Sequence, residues 1–250
     1  ALPPYLRRPA SWSRLLVADA RFRQDEIAGA AEAFRAARKL YGKGRIAWEA
    51  ERGLLWCAFR EEAYDDVIAA AGRLDRVPGL PAEAAREADL VAAHAYFNRQ
   101  DYPRAVEAYR RWAEDAGDDP RVPEVLFQIG WAYYLDEAYL DAVETWEELA
   151  RAHPGGPEAR RARQWTADTY FQAGENREAR EQYRALLARK LEPEEERRYA
   201  LRVAQTYYNE GEDTEAIPKF TAILEAYPDS PEADEARKGI EAASYRIADR

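Results

Sequence analysis

The stretch IGWAYYLDEAYLDAVETWEELARAHP, residues 129–154, returns twice at a fixed interval. Shifted by 37 residues it reads TADTYFQAGENREAREQYRALLARKL (166–191), and by another 37 VAQTYYNEGEDTEAIPKFTAILEAYP (203–228). Going backwards, AAHAYFNRQDYPRAVEAYRRWAEDAG begins at Ala92, and weaker copies begin at Leu54 and Val17. One short residue opens the second half of every copy: Ala30, Val67, Ala105, Ala142, Ala179 and Ala216. The intervals between them are 37, 38, 37, 37 and 37 residues. A register kept six times is a repeat architecture, and the fold must be read from its period.

Each copy reads as two helices. Apolar residues recur at three and four spacing on both sides of a short polar break such as AGEN (173–176) or EGED (210–213). Gly174 and Gly211 stand where the first helix must stop and turn. Proline-rich joins, VPGLP, DDPRVP, HPGGP, LEPEE and YPDSP, then separate the copies. Proline at a first helical position is tolerated because that N–H has no intrahelical partner anyway. Neither helix of a pair can bury its apolar stripe alone, so neighbouring pairs must stack. The repeats expected are 11–47, 48–85, 86–122, 123–159, 160–196 and 197–230, in a single domain spanning 1–250. A last helix over 231–248 carries Asp234, Glu235, Lys238 and Glu241 on its outer face, as a cap should.

Composition agrees with this and closes off other classes. Fifty of the 250 residues are alanine, 47% are apolar and 34% charged, which favours helices and argues against disorder. No apolar run approaches the ~18 residues that a membrane span needs. The net charge of -10 speaks against nucleic acid as a partner. A single cysteine, Cys57, and two histidines, His94 and His153, offer neither a disulfide nor a metal cluster. No glycine-rich phosphate loop, His-Glu-x-x-His or nucleophile elbow occurs, so a non-enzymatic chain without cofactor is expected. The start on Ala1 fits leader removal after a small residue, or a piece of a longer chain.

Gly130, Tyr133, Tyr139, Ala142, Trp146 and Pro154 fall at positions 8, 11, 17, 20, 24 and 32 when Pro123 is counted as the first. That is the spacing of the tetratricopeptide signature, and Tyr96, Tyr102, Ala105 and Tyr109 match it in the third repeat. Tyr170, Ala179 and Tyr183 match in the fifth, and Tyr207, Ala216, Phe220 and Pro228 in the sixth. The chain therefore resembles a tetratricopeptide-repeat protein. The resemblance implies an all-α, right-handed superhelical solenoid of about six helix pairs plus a capping helix. The join AYPDSPEA (226–233) is similar to one in bacterial envelope proteins of the outer-membrane barrel-assembly lipoprotein and Tol–Pal coordinator type. The second repeat departs most: Leu55 and Val67 replace small residues and Ala71 replaces the usual aromatic. Its helices are expected either to sit further apart or to slip in register. The first repeat has Arg21 at the tyrosine position.

The resemblance also implies that first helices line a concave groove through positions 2, 5, 9, 12 and 13. Position 12 is aromatic throughout: Phe22, Phe59, Phe97, Tyr134, Phe171 and Tyr208. Position 9 reads Asp19, Trp56, His94, Trp131, Asp168 and Gln205, and position 13 includes Arg23, Arg60, Asn98, Gln172 and Asn209. Such rings and amides suit a peptide or a partner helix, although the aromatic ladder also reads as packing between successive first helices. Position 2 changes sign, from Glu49, Glu87 and Glu124 to Arg161 and Arg198. The arginines run against the helix dipole and could receive an acidic segment or a carboxylate. The function expected is a protein–protein scaffold in a bacterial envelope, periplasmic or outer-membrane-associated, with a cytoplasmic setting as the alternative. Two other readings are the superhelical arm of an enzyme such as a soluble lytic transglycosylase, with its catalytic domain after Arg250, and a head-to-tail self-assembling scaffold.

Overall fold

A computed structural model describes residues 10–40 and 44–249, and the expectations for the first residues lie outside this range. The described residues form thirteen helices and no strand. They are α1 (Ala10–Arg23), α2 (Ile27–Leu40), α3 (Arg45–Arg60), α4 (Tyr64–Leu74), α5 (Ala82–Asn98), α6 (Tyr102–Ala116) and α7 (Val122–Leu135). They continue with α8 (Tyr139–Ala152), α9 (Pro157–Gln172), α10 (Asn176–Leu187), α11 (Pro193–Asn209), α12 (Asp213–Ala226) and α13 (Pro231–Ala248). Six pairs and a final helix are present, as the period required.

The chain packs as two compact bodies, one ending at Ala132 and the other starting at Tyr133. In the N-terminal body, helices α1 to α6 each pack on the next, and the first helices α1, α3 and α5 also touch one another. In the C-terminal body, α8 to α13 follow the same sequence, with α11 against α13. Each body thus shows the pairwise stacking of a helical repeat.

The turn inside every pair is the same. The second break residue takes a left-handed conformation at Asp25, Glu62, Gln100, Glu137, Gly174 and Gly211. Beside it, a backbone N–H reaches back five residues, as in Ala63 N–H to Ala58 O at 2.9 Å and Glu175 N–H to Tyr170 O at 2.9 Å. That bond closes a Schellman cap and satisfies a carbonyl at the helix end. Glycine is therefore used at only two of the six breaks, and four side chains accept a conformation that costs ~1 kcal/mol or more. After the joins, Pro157, Pro193 and Pro231 open their helices at the first position, and Ser230 caps α13 by accepting from Ala233 N–H at 3.1 Å.

Helix approach is set by size matching. Ala30, Val67, Ala105, Ala142, Ala179 and Ala216 are all fully buried where the two helices of a pair meet. Between repeats, the position-24 residue meets position 6 of the next first helix. Phe34 faces Gly53, where an added Cβ would stand 2.4 Å from its ring, and Phe220 faces Gly239 at 2.7 Å. In the second repeat the sizes reverse: Ala71 and Val91 are both buried in one cluster. The absent aromatic is thus filled from the following helix. The register does not slip, since the break at 61–63 aligns with the other five. Arg21, at the tyrosine position of the first repeat, lies over Gly29 and donates to its carbonyl at 3.2 Å.

Polar side chains then tie repeat to repeat. Arg60 reaches Asp25 at 2.6 Å, Asn209 reaches Asn176 at 3.2 Å, and Arg246 binds the buried Asp213 through Nε at 2.8 and 2.9 Å. All three donors occupy position 13, which in these three repeats clamps the preceding turn. The cap behaves as expected: Asp234, Glu235, Lys238 and Glu241 are exposed, while Ala233, Ala236 and Ala243 are buried.

Candidate partner-binding groove

In the N-terminal body, α1 and α3 enclose a cavity of about 530 Å³. Phe34 of α2 reaches its floor, and Trp12, Leu16, Phe22 and Trp56 line the walls. The floor is accessible because residue 53 is glycine; any side chain there would displace Phe34. Leu16 is 47% exposed and, beside Trp12, Phe22 and Trp56, adds an apolar side chain to the mouth of the cavity. The rim is charged but internally neutralised, with Arg23 on Asp19 at 3.0 Å and Arg52 on Glu49 at 3.1 Å. Arg52 also lies 3.8 Å from Glu87, so the acidic position-2 residues of repeats two and three share one guanidinium. The result is an apolar socket with a nearly neutral edge.

The remaining candidates of this body divide by role. Trp56 and Phe59 meet edge-to-face at 5.8 Å, which fixes the Trp56 ring at the cavity wall. His94 is half-buried, and its Nδ1 shares a 2.6 Å hydrogen bond with the Tyr109 hydroxyl. Burial holds its pKa below the ordinary histidine value, so it is a neutral packing group at pH 7. Phe97 packs edge-to-face on Tyr102 at 5.7 Å, Asn98 is exposed, and Trp131 is half-buried.

In the C-terminal body, Tyr134 stands edge-to-face to Tyr139 and to Trp165, each at 5.5 Å. Phe171 packs against Tyr183 at 6.4 Å and lies under the Arg202 guanidinium at 4.7 Å. Tyr208 is covered by Arg246 at 4.1 Å. Asp168 accepts from the Tyr183 hydroxyl at 2.5 Å, repeating the His94–Tyr109 pairing two repeats on; burial, then the Asp168 charge, pushes the Tyr183 pKa up. Arg161 is exposed, whereas Arg198 folds onto its neighbour, its Nη2 donating to the Tyr199 hydroxyl at 3.2 Å. Asn209, though exposed, is engaged with Asn176.

The structure therefore brings Trp56 and Phe22 into one cavity and gives the other aromatic rungs packing partners. Trp12 and Leu16 complete the cavity. The repeat frame carries their signal, since Trp12 falls at position 2 and Leu16 at position 6 of the first repeat. The role of Gly53 could not be found from spacing, because it depends on the rotamer of Phe34. Cys57 is buried, and burial first, then the Glu61 charge, raises its thiol pKa to about 11, which keeps it unreactive at neutral pH. Among the described residues no group of three His, Cys, Asp or Glu side chains could hold a metal. No described helix is long and apolar enough to cross a membrane.

Comparison with known proteins follows the architecture. A tetratricopeptide repeat protein of Parabacteroides merdae ATCC 43184 superposes with a TM-score of 0.55 at 15% identity, over 95% of this chain and 88% of that one. MamA gives 0.54 at 18% identity, over 69% and 93% of the two chains, and the apo form of RapI 0.60 at 12%, over 96% and 72%. At these identities the likeness is one of fold. No curated protein matches the chain in sequence. The family model described as Tetratricopeptide repeat matches residues 90–165 and 166–231, more than half of the chain. With this match over more than half of its length, the chain belongs to the tetratricopeptide-repeat family.

Proposed function

We propose that this protein is a non-enzymatic interaction scaffold that holds an extended or helical segment of a partner protein along its first helices. The observation that carries this reading is the cavity between α1 and α3, where Trp12, Leu16, Phe22 and Trp56 surround an open apolar floor. Aromatic walls with few rotatable bonds anchor a partner side chain at little entropic cost. Farther along the same body, exposed Asn98 offers an amide for a partner backbone. The setting we propose, on the strength of the join at 226–233 alone, is a bacterial envelope.

Peptides selected from a random display library against the intact protein test the reading. Binders are expected to share one large apolar anchor, and Trp56→Ala should weaken them by about 30-fold, the loss of ~2 kcal/mol at a central aromatic contact. Binders without an apolar anchor, or unchanged by Trp56→Ala, would remove the cavity from the account.

A further inference from the structure

A second cleft lies on the opposite side of a helix pair, where second helices flank a first helix. It is formed by α8, α9 and α10 and measures about 310 Å³. Arg151, Arg163 and Arg189 line it together with Glu147, Gln182 and Thr166. In a chain of net charge -10, three guanidinium groups converge on this one hollow. Arg163 Nη2 donates to the carbonyls of Ala150 and Pro154 at 3.1 and 3.2 Å, which pins it against the end of α8. Burial, then the like charge of Arg189, holds its pKa below the ordinary arginine value. Arg151 and Arg189 are exposed and form no ion pair among the described residues. Glu147 pairs with none of the three and lies beside Gln182 Nε2 at 3.5 Å. The Thr166 hydroxyl, on a residue only 2% exposed, is buried without a hydrogen-bond partner.

The chain contains a self-neutralised version of the same cleft, a hollow of about 240 Å³ where Arg35, Arg38 and Arg73 stand with Glu61 and Asp66. Between α2, α3 and α4, Glu51 occupies the repeat position that Arg163 holds in α9. There its carboxylate is buried and accepts from Arg38 at 2.9 Å and from Arg73 at 3.1 Å. The residues equivalent to Arg38 and Arg73 are Ala150 and Ala185, which leaves room in the second cleft, while Arg151, the next residue after Ala150, and Arg189, four residues after Ala185, bring cations. One cleft holds a carboxylate between two arginines; in the other the arginines stand without a carboxylate on them, its Glu147 being engaged by Gln182 instead.

We propose that the α8–α9–α10 cleft binds a carboxylate presented by a partner chain, an aspartate or glutamate side chain, through Arg151, Arg189 and the Thr166 hydroxyl. The site is separate from the α1–α3 cavity and does not depend on the groove reading.

The intact protein, labelled for Arg Nε–H and Thr methyl resonances, is titrated with acetyl-Ala-Glu-Ala-amide at constant ionic strength. The expected result is a saturable shift at Thr166 and the three arginines, absent with the Gln-containing peptide. Each arginine removed should weaken binding about tenfold, so Arg151→Ala with Arg189→Ala should abolish it. Both side chains are exposed, and an unchanged circular-dichroism melt will show that the double variant is folded. Thr166→Val should weaken binding less. Equal shifts with the Gln peptide, or in the double variant, overturn the proposal. A response to inorganic phosphate without one to the Glu peptide also overturns it, as a site for free phosphate.

Discussion

The clefts around Glu51 and Arg163 occupy equivalent places in the repeat and reach opposite electrostatic solutions. Around Glu51 the protein completes its own ion cluster, with a carboxylate from α3 and guanidinium groups from α2 and α4. Around Arg163 the carboxylate position is itself cationic, and alanines stand where the bridging arginines would be. Three frame positions decide whether the cleft supplies its own carboxylate to its arginines or leaves them without one. The backbone is indifferent to this choice. Helix packing within a repeat therefore leaves the outer clefts free to differ, as it leaves the groove side chains free to differ.

Removing Glu51 should have the largest effect on stability. Glu51→Ala leaves two arginines facing each other and should cost ~3 kcal/mol, the lower edge for half of a buried pair because both arginines keep some water. Urea unfolding measures it, and a loss below ~1 kcal/mol would mean that the cluster is a surface pair in energetic terms. Arg163→Ala should cost less, since it removes hydrogen bonds to one carbonyl in the last turn of α8 and one in the join after it, and relieves repulsion from Arg189.

Next comes the Phe34–Gly53 contact. Gly53→Ala forces the Phe34 ring to move and should cost about 1–3 kcal/mol by overpacking. Phe34→Ala with Gly53→Val imitates the Ala71–Val91 arrangement of the next interface, and should cost less than the two single changes together. A double-mutant cycle reads that coupling, and strict additivity would break the size-matching account.

Smaller effects follow at the turns and at His94. Glu62→Gly relieves a left-handed side chain and should stabilise by ~0.5 kcal/mol, after the added chain entropy of glycine is subtracted. A loss of stability in thermal melts would count against the strain. Because burial lowers the His94 pKa, the unfolded chain binds the proton more readily than the folded one. The contribution of neutral His94 is complete above about pH 6.5 and is lost as pH falls through that value toward the folded pKa. His94→Gln should flatten this part of the stability–pH curve, and an unchanged slope would assign it to other groups.

Much of the fold was legible because the repeat is written in residues whose size alone matters. Ala105, Ala142 and Ala179 mark helix contacts without reference to anything distant. The breaks were harder: Gly174 and Gly211 announce a left-handed turn, whereas Asp25, Glu62, Gln100 and Glu137 adopt it without any local signal. Groove residues were legible as a set of positions but not as a site. Position 13 looked like groove lining, yet Arg60, Asn209 and Arg246 turn toward the preceding repeat, because an acid or amide awaits them there. Long polar side chains choose among partners more than thirty residues away, and periodicity carries no information on that choice. Glu51 and Arg163 carry no signal in the repeat period for the same reason.

The central claim is that partner segments bind on the first-helix face at the α1–α3 cavity. A photoreactive benzoyl-phenylalanine placed at Leu16, in that cavity, or at Ala69, exposed on the second helix α4, tests it with a selected peptide. The account predicts cross-linking from position 16, suppressed by Trp56→Ala, and none from position 69. Cross-linking from position 69 alone, or equally from both, would contradict it.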